Sequence, residues 1–299
     1  MRFGKSEWST WQRGCEKEWL LTNGIGGFAS STITGGNTRR YHGLLIASLD
    51  PPVQRHLILS QLHETIVSEG KKYNLHSFST GDFIMEGFRH LESFELDPLP
   101  VFNYVIGDIA VQKTVTFIYG KNTIAVVYYV RSGSAPLEMR ITPLVNFRDY
   151  HGDSKKEYLK FSQWPGKFDT RVRPHGTDLT ITLSLRGSAY TPYEGCWFEN
   201  MHYMIERERG LNDREDHYIP GSFDIRLGQR ESKSFTFVCS VEKGADDCDL
   251  YIPECRRARE EGQLTLGSRF AKDELVPNGR RLLKSEHFRE DGQMPEDGR

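Results

Sequence analysis

The chain has 299 residues, 37% hydrophobic and 27% charged, which is material for one large β domain or two ordinary globular domains at roughly 100–200 residues each. Its 39 basic residues against 41 acidic ones leave a net charge of −2, so no overall positive field exists to gather a nucleic acid, and a neutral ligand fits better. No apolar run reaches the length of a membrane span, and Met1-Arg2-Phe3-Gly4-Lys5-Ser6-Glu7-Trp8 lacks the apolar core of a secretory signal, so a cytoplasmic protein without membrane partners is expected. The five cysteines, Cys15, Cys196, Cys239, Cys248 and Cys255, are odd in number, scattered and without a C-x-x-C pair. They read as reduced thiols, with neither a metal site nor a cofactor implied.

The first informative segment runs from Glu18 to Ile46. Its glycines, Gly24, Gly26, Gly27, Gly35 and Gly36, invite comparison with a phosphate-cradling loop. A dinucleotide fingerprint needs a third glycine where Ala29 stands and a helix after it, and no helical period follows. Tight turns and close backbone approach, for packing or for a flat sugar ring, are the alternative. Arg39-Arg40-Tyr41-His42 then brings guanidinium, phenol and imidazole groups within four residues. Sugar sites use that mixture, because hydroxyls want donors and acceptors while the C–H side of the ring wants an aromatic face.

From about residue 53 to 240 the chain is a succession of short alternating or β-branched segments bounded by turn residues. They are Val53–Leu59, Gln61–Val67, Ala110–Ile118, Thr123–Val130, Leu137–Val145, Leu179–Leu185 and Ser234–Ser240. In the third, Ile109, Val111, Lys113, Val115 and Phe117 share one face and Gln112, Thr114 and Thr116 the other, so one face is expected buried and the other wetted. No long amphipathic helix interrupts the strands. The pattern predicts an all-β fold, a large antiparallel two-sheet sandwich.

Asn146-Phe147-Arg148-Asp149-Tyr150-His151 repeats the sugar-site mixture at a strand end; the plain alternative is two polar loops whose charges pair with each other and with the backbone. Between Tyr193 and Asp216 aromatics and carboxylates are dense, and Glu194, Glu199, Asp213 and Asp216 are nominal candidates for the paired carboxyls of glycoside hydrolysis. The run Glu206-Arg207-Glu208-Arg209 reads as a solvated, self-paired face. No G-x-S-x-G elbow is present, and His42, His151 and His202 are too dispersed to define a metal site. Strand patterning ends near Gly244. A short, partly helical or disordered tail is expected, with Ile252–Leu266 as its one candidate helix.

Glu18-Trp19-Leu20-Leu21-Thr22-Asn23-Gly24-Ile25-Gly26-Gly27-Phe28, then Gly36-Asn37-Thr38-Arg39-Arg40-Tyr41-His42-Gly43-Leu44-Leu45, closely resemble the N-terminal domain of the bacterial and archaeal glycogen debranching enzymes, the amylo-α-1,6-glucosidases. Asn146–His151, Glu206–Leu211, Asp216 and Pro220-Gly221 carry the likeness further, over roughly residues 15–240. The resemblance implies a β-supersandwich of the galactose-mutarotase or glucoamylase N-domain kind, preceding an (α/α)6 barrel that holds the catalytic carboxylates. It also implies an α-glucan, glycogen or limit dextrin, as ligand.

On that reading residues 1–243 form the N-terminal domain, and 244–299 form a linker or truncated start of the helical barrel. Too few residues follow Arg259 for the barrel itself, so no catalytic residue transfers and a separately encoded catalytic domain is the expected partner. The residues expected to face substrate or barrel are Asn23, Arg39, Arg40, Tyr41, His42, Arg148, Asp149, Tyr150 and His151. Two other readings stand beside it. One is a stand-alone carbohydrate-binding module with Tyr41, Tyr150, Trp164 and Trp197 as platforms; the other is an autonomous hydrolase using Glu194/Glu199 or Asp213/Asp216.

Overall fold

Period-2 alternation sets the architecture, because each alternating segment has an apolar face that only another sheet can cover. The computed structural model describes residues 1–96 and 98–243, with the backbone of 282–284. In chain order its strands are β1 (Arg2–Gly4), β2 (Lys17–Thr22), β3 (Phe28–Thr32), β4 (Gly43–Asp50), β5 (Val53–Ser68), β6 (Lys71–Asn74), β7 (Ser77–Ser79), β8 (Ile84–Glu86), β9 (Leu91–Leu96), β10 (Pro100–Ile106) and β11 (Ile109–Phe117). They continue as β12 (Thr123–Arg131), β13 (Leu137–Asp149), β14 (Phe161–Pro165), β15 (Asp169–Pro174), β16 (Ile181–Leu185), β17 (Ala189–Pro192), β18 (Trp197–His202), β19 (Arg214–Tyr218), β20 (Gly221–Leu227), β21 (Ser232–Ser240) and β22 (Leu282–Lys284). Two helices of little more than one turn, α1 (Trp11–Cys15) and α2 (Met204–Glu208), sit between strands.

Among the described residues the strands form two large antiparallel sheets. One has the order β1-β9-β10-β11-β12-β21-β16-β15-β14, and the other follows β17-β20-β13-β5-β4-β3-β2-β22 with β18, β19 and β6 attached to it. The all-β, two-sheet expectation therefore holds. The facing surfaces share one core, in which Trp19 meets Phe102 edge-on at 6.3 Å, Phe94 meets Phe102 at 4.8 Å and Phe223 meets Phe237 at 5.7 Å. Each fully buried large side chain contributes about 1.5–3 kcal/mol by leaving water. Among the described residues no helix is long and apolar enough to cross a membrane.

The expected strands are found with instructive differences. Val53–Leu59 and Gln61–Val67 are one strand, β5, whose register against β13 shifts between the pairs Val145–Leu59 and Leu144–Gln61. A second shift follows between Val145–Leu59 and Arg148–Leu57, so the Asn146–Asp149 segment expected at a strand end is β13 itself. Leu179–Leu185 begins only at Ile181. The wetted face expected for β11 is half wrong. Gln112 is partly exposed, but Thr114 and Thr116 are buried beside Val127 and Ala125, which with Ile118 and Val238 make a second small apolar cluster on that side. The candidate helix Ile252–Leu266 lies outside the described residues. Beyond Gly244 the described strand is β22, whose backbone pairs with Lys17–Trp19 at the edge of the second sheet.

The glycine-rich segment is explained by packing. Gly26 has φ of +99°, and a Cβ there would lie 2.4 Å from the carbonyl oxygen of Pro52; at Gly36 a Cβ would lie 2.4 Å from the Trp11 ring. Any side chain would force backbone or indole to move.

Lys113, placed by alternation on the inward face of β11, does point into the core. Its Nζ is 2.6 Å from Oε1 of Glu64 on β5, and the Tyr128 hydroxyl donates to the same oxygen at 2.7 Å. Both charges are nearly out of water, so each depends on the other. Replacing Glu64 by Ala should therefore lower unfolding stability by about 3–5 kcal/mol, measured by denaturant unfolding; Glu64→Ala with a stability within 1 kcal/mol of wild type, on the scale of about 0–1 for surface pairs, would refute the pairing.

Candidate functional site

The two register shifts place polar side chains where a regular strand would place aliphatic ones. Ser60, at the shift in β5, is 3.4 Å through Oγ from Nε2 of His217 on β19, and Asn37 donates to the same hydroxyl at 3.2 Å. Asn146, at the shift in β13, extends its amide to Ser154 Oγ at 2.7 Å, the Asp216 carbonyl at 3.1 Å and Nδ1 of His217 at 3.0 Å. All of these groups are buried.

At the centre of this interior lies an ion pair between Arg148 and Glu215. The guanidinium engages the carboxylate through both Nε and Nη2, the latter at 2.9 Å. Tyr203 donates to Oε2 of Glu215 at 2.6 Å and Ser154 to Oε1 at 3.0 Å. Burial is the largest influence on the Glu215 carboxyl and pushes it up, but the Arg148 charge together with the hydrogen bonds from Arg148 and Tyr203 and the neighbouring His217 more than reverses this and holds the group below its ordinary range. The remaining Arg148 donors reach main-chain oxygens: Arg40 at 2.7 Å, Asp149 at 3.1 Å and Tyr150 at 3.2 Å. One side chain thus sets the path of both candidate segments.

A second buried cluster joins Glu18 on β2 to the 37–42 turn. Arg39 Nε donates to Glu18 Oε1 at 2.8 Å, His42 Nε2 stands 3.3 Å from the same oxygen, and the Thr38 amide donates to His42 Nδ1 at 3.0 Å. Burial pushes the Glu18 carboxyl up, and its two basic neighbours more than reverse this, leaving it lowered. Glu206 on α2 makes the third cluster. It accepts from the Arg40 amide at 3.1 Å, and its other oxygen lies 3.4 Å from Arg40 Nε and 3.5 Å from Arg209 Nη1. The Ile205 amide donates to the Thr38 carbonyl at 3.1 Å, so α2 latches onto the turn at two points.

Above this framework sit the rings. Tyr41 meets Tyr150 edge-on at 5.6 Å, Tyr150 meets His151 at 3.9 Å, and the Tyr41 hydroxyl is 3.0 Å from His151 Nδ1. Arg40 Nη1 donates to the His151 carbonyl at 2.6 Å, and the Arg55 guanidinium stands 5.5 Å from the Tyr150 ring centre. Tyr41 is largely covered, Tyr150 half-buried and His151 exposed. The surface so formed offers aromatic faces beside guanidinium and imidazole groups.

The nine expected site residues therefore divide. Arg40, Tyr41, Tyr150 and His151 come together, Tyr41 buried, Arg40 and Tyr150 partly exposed and His151 exposed, and Asp149 stands exposed beside them, its Oδ1 accepting from the His151 amide at 2.9 Å. Arg39, His42 and Arg148 point inward and are bound to carboxylates. Asn23 is a buried corner that accepts from the Ile25 and Gly27 amides and donates to the Lys121 carbonyl and the Asn122 side chain in the turn between β11 and β12. Its loop reaches the rings through Arg55, whose Nε donates to the Gly26 carbonyl at 2.7 Å, and through Phe28, which meets Tyr150 edge-on at 6.4 Å. Of the platform candidates, Trp197 is half-buried against Tyr218 and Phe161, whereas Trp164 is 51% exposed. Of the candidate carboxylates, Glu194 is exposed, Glu199 is paired with Lys156 at 2.7 Å, Asp213 with His202 at 3.2 Å and Asp216 with Lys155 at 3.5 Å.

Sequence reasoning missed Glu206, Glu215, Tyr203 and His217. The Glu206–Arg209 run was expected to be solvated, but the apolar Tyr203-Met204-Ile205 before it brings α2 onto the body of the domain and turns Glu206 fully inward. Among the described residues no group of three or more His, Cys, Asp or Glu is arranged to hold a metal ion.

Residues 17–234 match the family described as Glycogen debranching enzyme N terminal. The chain belongs to that family. No curated protein matches it. Among solved structures, a kojibiose phosphorylase from the human microbiome aligns at 10% identity over 69% of this chain and 26% of its own, with a TM-score of 0.33. A bacterial glucoamylase in complex with acarbose aligns at 9% identity over 83% of this chain and 34% of its own, with a TM-score of 0.39. A polysaccharide lyase aligns at 15% identity over 66% and 27%, with a TM-score of 0.33. This debranching-family chain thus spans between a quarter and about a third of the length of those proteins.

Two measurements probe the framework. Arg148→Met strands the Glu215 carboxylate and should cost about 3–5 kcal/mol of unfolding stability, while Arg148→Lys, which keeps the charge and loses the fork, should cost about 1–3 kcal/mol. Equal losses for the two would show that the fork contributes nothing.

The second measurement is pH. Burial pushes His217 down to about 4, against an ordinary 6.5, and burial likewise lowers His63 and His76. The unfolded chain takes up these protons first, so stability is complete above about pH 6.5 and falls as pH drops toward 4, by about 3 kcal/mol for His217 alone. The lowered Glu18 and Glu215 extend the loss in the same direction at lower pH. His217→Gln should flatten the slope between pH 6.5 and 4 in denaturant titrations; an unchanged slope would place the proton uptake elsewhere.

Proposed function

We propose that this chain is the N-terminal, substrate-shaping part of a glycoside hydrolase that removes α-1,6-linked glucosyl branches from an α-glucan. Residues 1–243 form that domain, and 244–299 lead toward a helical (α/α)6 barrel where the bond is cleaved. The observation that carries the reading is the Tyr41–Tyr150–His151 ring cluster, held by buried Arg148 and Glu206 in a chain of the debranching family. A pyranose ring has an apolar C–H face and a rim of hydroxyls. Tyr150 and His151 supply faces for the first, while Arg40 and Arg55 supply donors for the second.

The rigid mounting supports a shaping role. Arg40 is held through its amide and its guanidinium, and the Tyr150 carbonyl is held by Arg148, so little conformational freedom is left to lose when a ligand or a barrel surface arrives. Chemistry is assigned to the barrel because the buried carboxylates that support the ring cluster are committed to structure: Glu18, Glu206 and Glu215 are held in ion pairs. General acid catalysis needs a carboxyl free to hold and release a proton at the scissile oxygen.

The test is glucose release from a branched limit dextrin by the purified chain, alone and with a separately supplied debranching barrel. No release alone and release with the barrel is the expected result; release by the chain alone would place the catalytic carboxyls in this sequence and overturn the proposal. In the combined assay Tyr150→Ala should lower kcat/KM by roughly 10-fold, corresponding to the loss of one aromatic contact, with the melting temperature unchanged. Equal activity of wild type and Tyr150→Ala would remove the ring cluster from the substrate or barrel surface.

A further inference from the structure

A second surface has the chemistry of a sugar platform and lies on the other sheet. β14 is the edge strand of the nine-stranded sheet, and Trp164 stands directly across from Arg171 of β15 in the antiparallel register, with Ser162 across from Arg173. Their neighbours Gln163 and Val172 belong to the opposite, inward face, where Val172 joins the core. Trp164 is therefore turned away from the core by strand alternation, and it is 51% exposed. About half of the indole therefore stays in water at the sheet edge.

Its surroundings are ordered. The Arg173 guanidinium lies 5.5 Å from the Trp164 ring centre and donates to Thr180 Oγ1 at 3.3 Å. Ser162 Oγ and His175 Nε2 are 2.9 Å apart on the same exposed face. An indole face thus sits on the outer face of β14 and β15 beside guanidinium, hydroxyl and imidazole groups. That is the pairing of an apolar plane with hydrogen-bonding rim groups that a pyranose ring requires. Edge strands with bare apolar residues normally invite strand pairing, but Pro165 ends β14 after five residues and limits that use.

We propose that the outer face of β14 and β15, centred on Trp164, is a second α-glucan-binding platform, separate from the Tyr41–Tyr150–His151 cluster on the other sheet. The identity of the glucan rests on the reading above; the location of the platform does not. A second contact on the same polymer holds the chain near it by effective concentration, which matters for a branched substrate presenting many chain ends.

Affinity electrophoresis of the full chain in native gels with and without glycogen tests this. Wild type should be retarded by glycogen, Trp164→Ala should weaken retardation about tenfold or more, and Trp164→Phe should stay within about threefold, because it keeps a ring. Tyr158→Ala, which removes an exposed ring outside both surfaces, should leave this retardation in place. Retardation of Trp164→Ala equal to wild type would overturn the platform, as would an absence of retardation for the wild type. Retardation by dextran sulfate that vanishes at high salt, in place of retardation by glycogen, would overturn the glucan assignment in favour of an anionic polymer held by the arginines. Because limit-dextrin hydrolysis with the barrel is read separately, a failure here leaves the Tyr150 reading to stand or fall on its own assay.

Discussion

The contact between Arg148 and Glu215 is the constraint on which the rest of the site depends. Both side chains are out of water, where an unmatched charge costs several kcal/mol, and the pair is tolerated because nearly every donor and acceptor is used. Glu215 takes the Arg148 fork together with the Tyr203 and Ser154 hydroxyls. Arg148 spends its remaining protons on the carbonyls of Arg40, Asp149 and Tyr150. A side chain from the middle of one sheet thereby dictates the course of two surface segments far apart in sequence.

The register shifts make this possible. A regular pairing of β5 with β13 would alternate aliphatic residues through the region, whereas the shifts beside Leu59 and Val145 bring Ser60 and Asn146 to His217. Burial keeps that imidazole neutral, so it joins the network through hydrogen bonds and adds no charge to an interior already holding an ion pair. Glu64 and Lys113 repeat the logic between the sheets, with Tyr128 completing the acceptor. Replacing such pairs by apolar residues often costs nothing in net stability, so their value here is geometric: they hold surface groups in one arrangement.

The two candidate glucan surfaces differ in how they are made. Around Tyr150 the rings are supported from below by charge pairs, and α2, through Glu206 and Ile205, clasps the 38–40 turn from the side. Around Trp164 no buried network is needed, because strand register alone sets the indole beside Arg171 and places Arg173 over it. The first surface suits precise orientation of a ligand or a neighbouring barrel, and the second suits repeated, weak contact with a polymer.

Period-2 alternation from residue 53 to 240 was enough to read the all-β class, and the Glu18–Phe28 and Gly36–Leu45 motifs were enough to read the family, because both are local properties of the chain. The same local view could not separate Arg40, which reaches the surface rings, from Arg39, which turns inward to Glu18 one residue earlier. Nor could it tell that Glu206 is buried while Arg207 and Glu208 beside it are exposed. Composition and periodicity report the faces of an element. Which charges become partners depends on register shifts and on contacts between residues such as Arg148 and Glu215, 67 positions apart, which exist only once the sheets have paired.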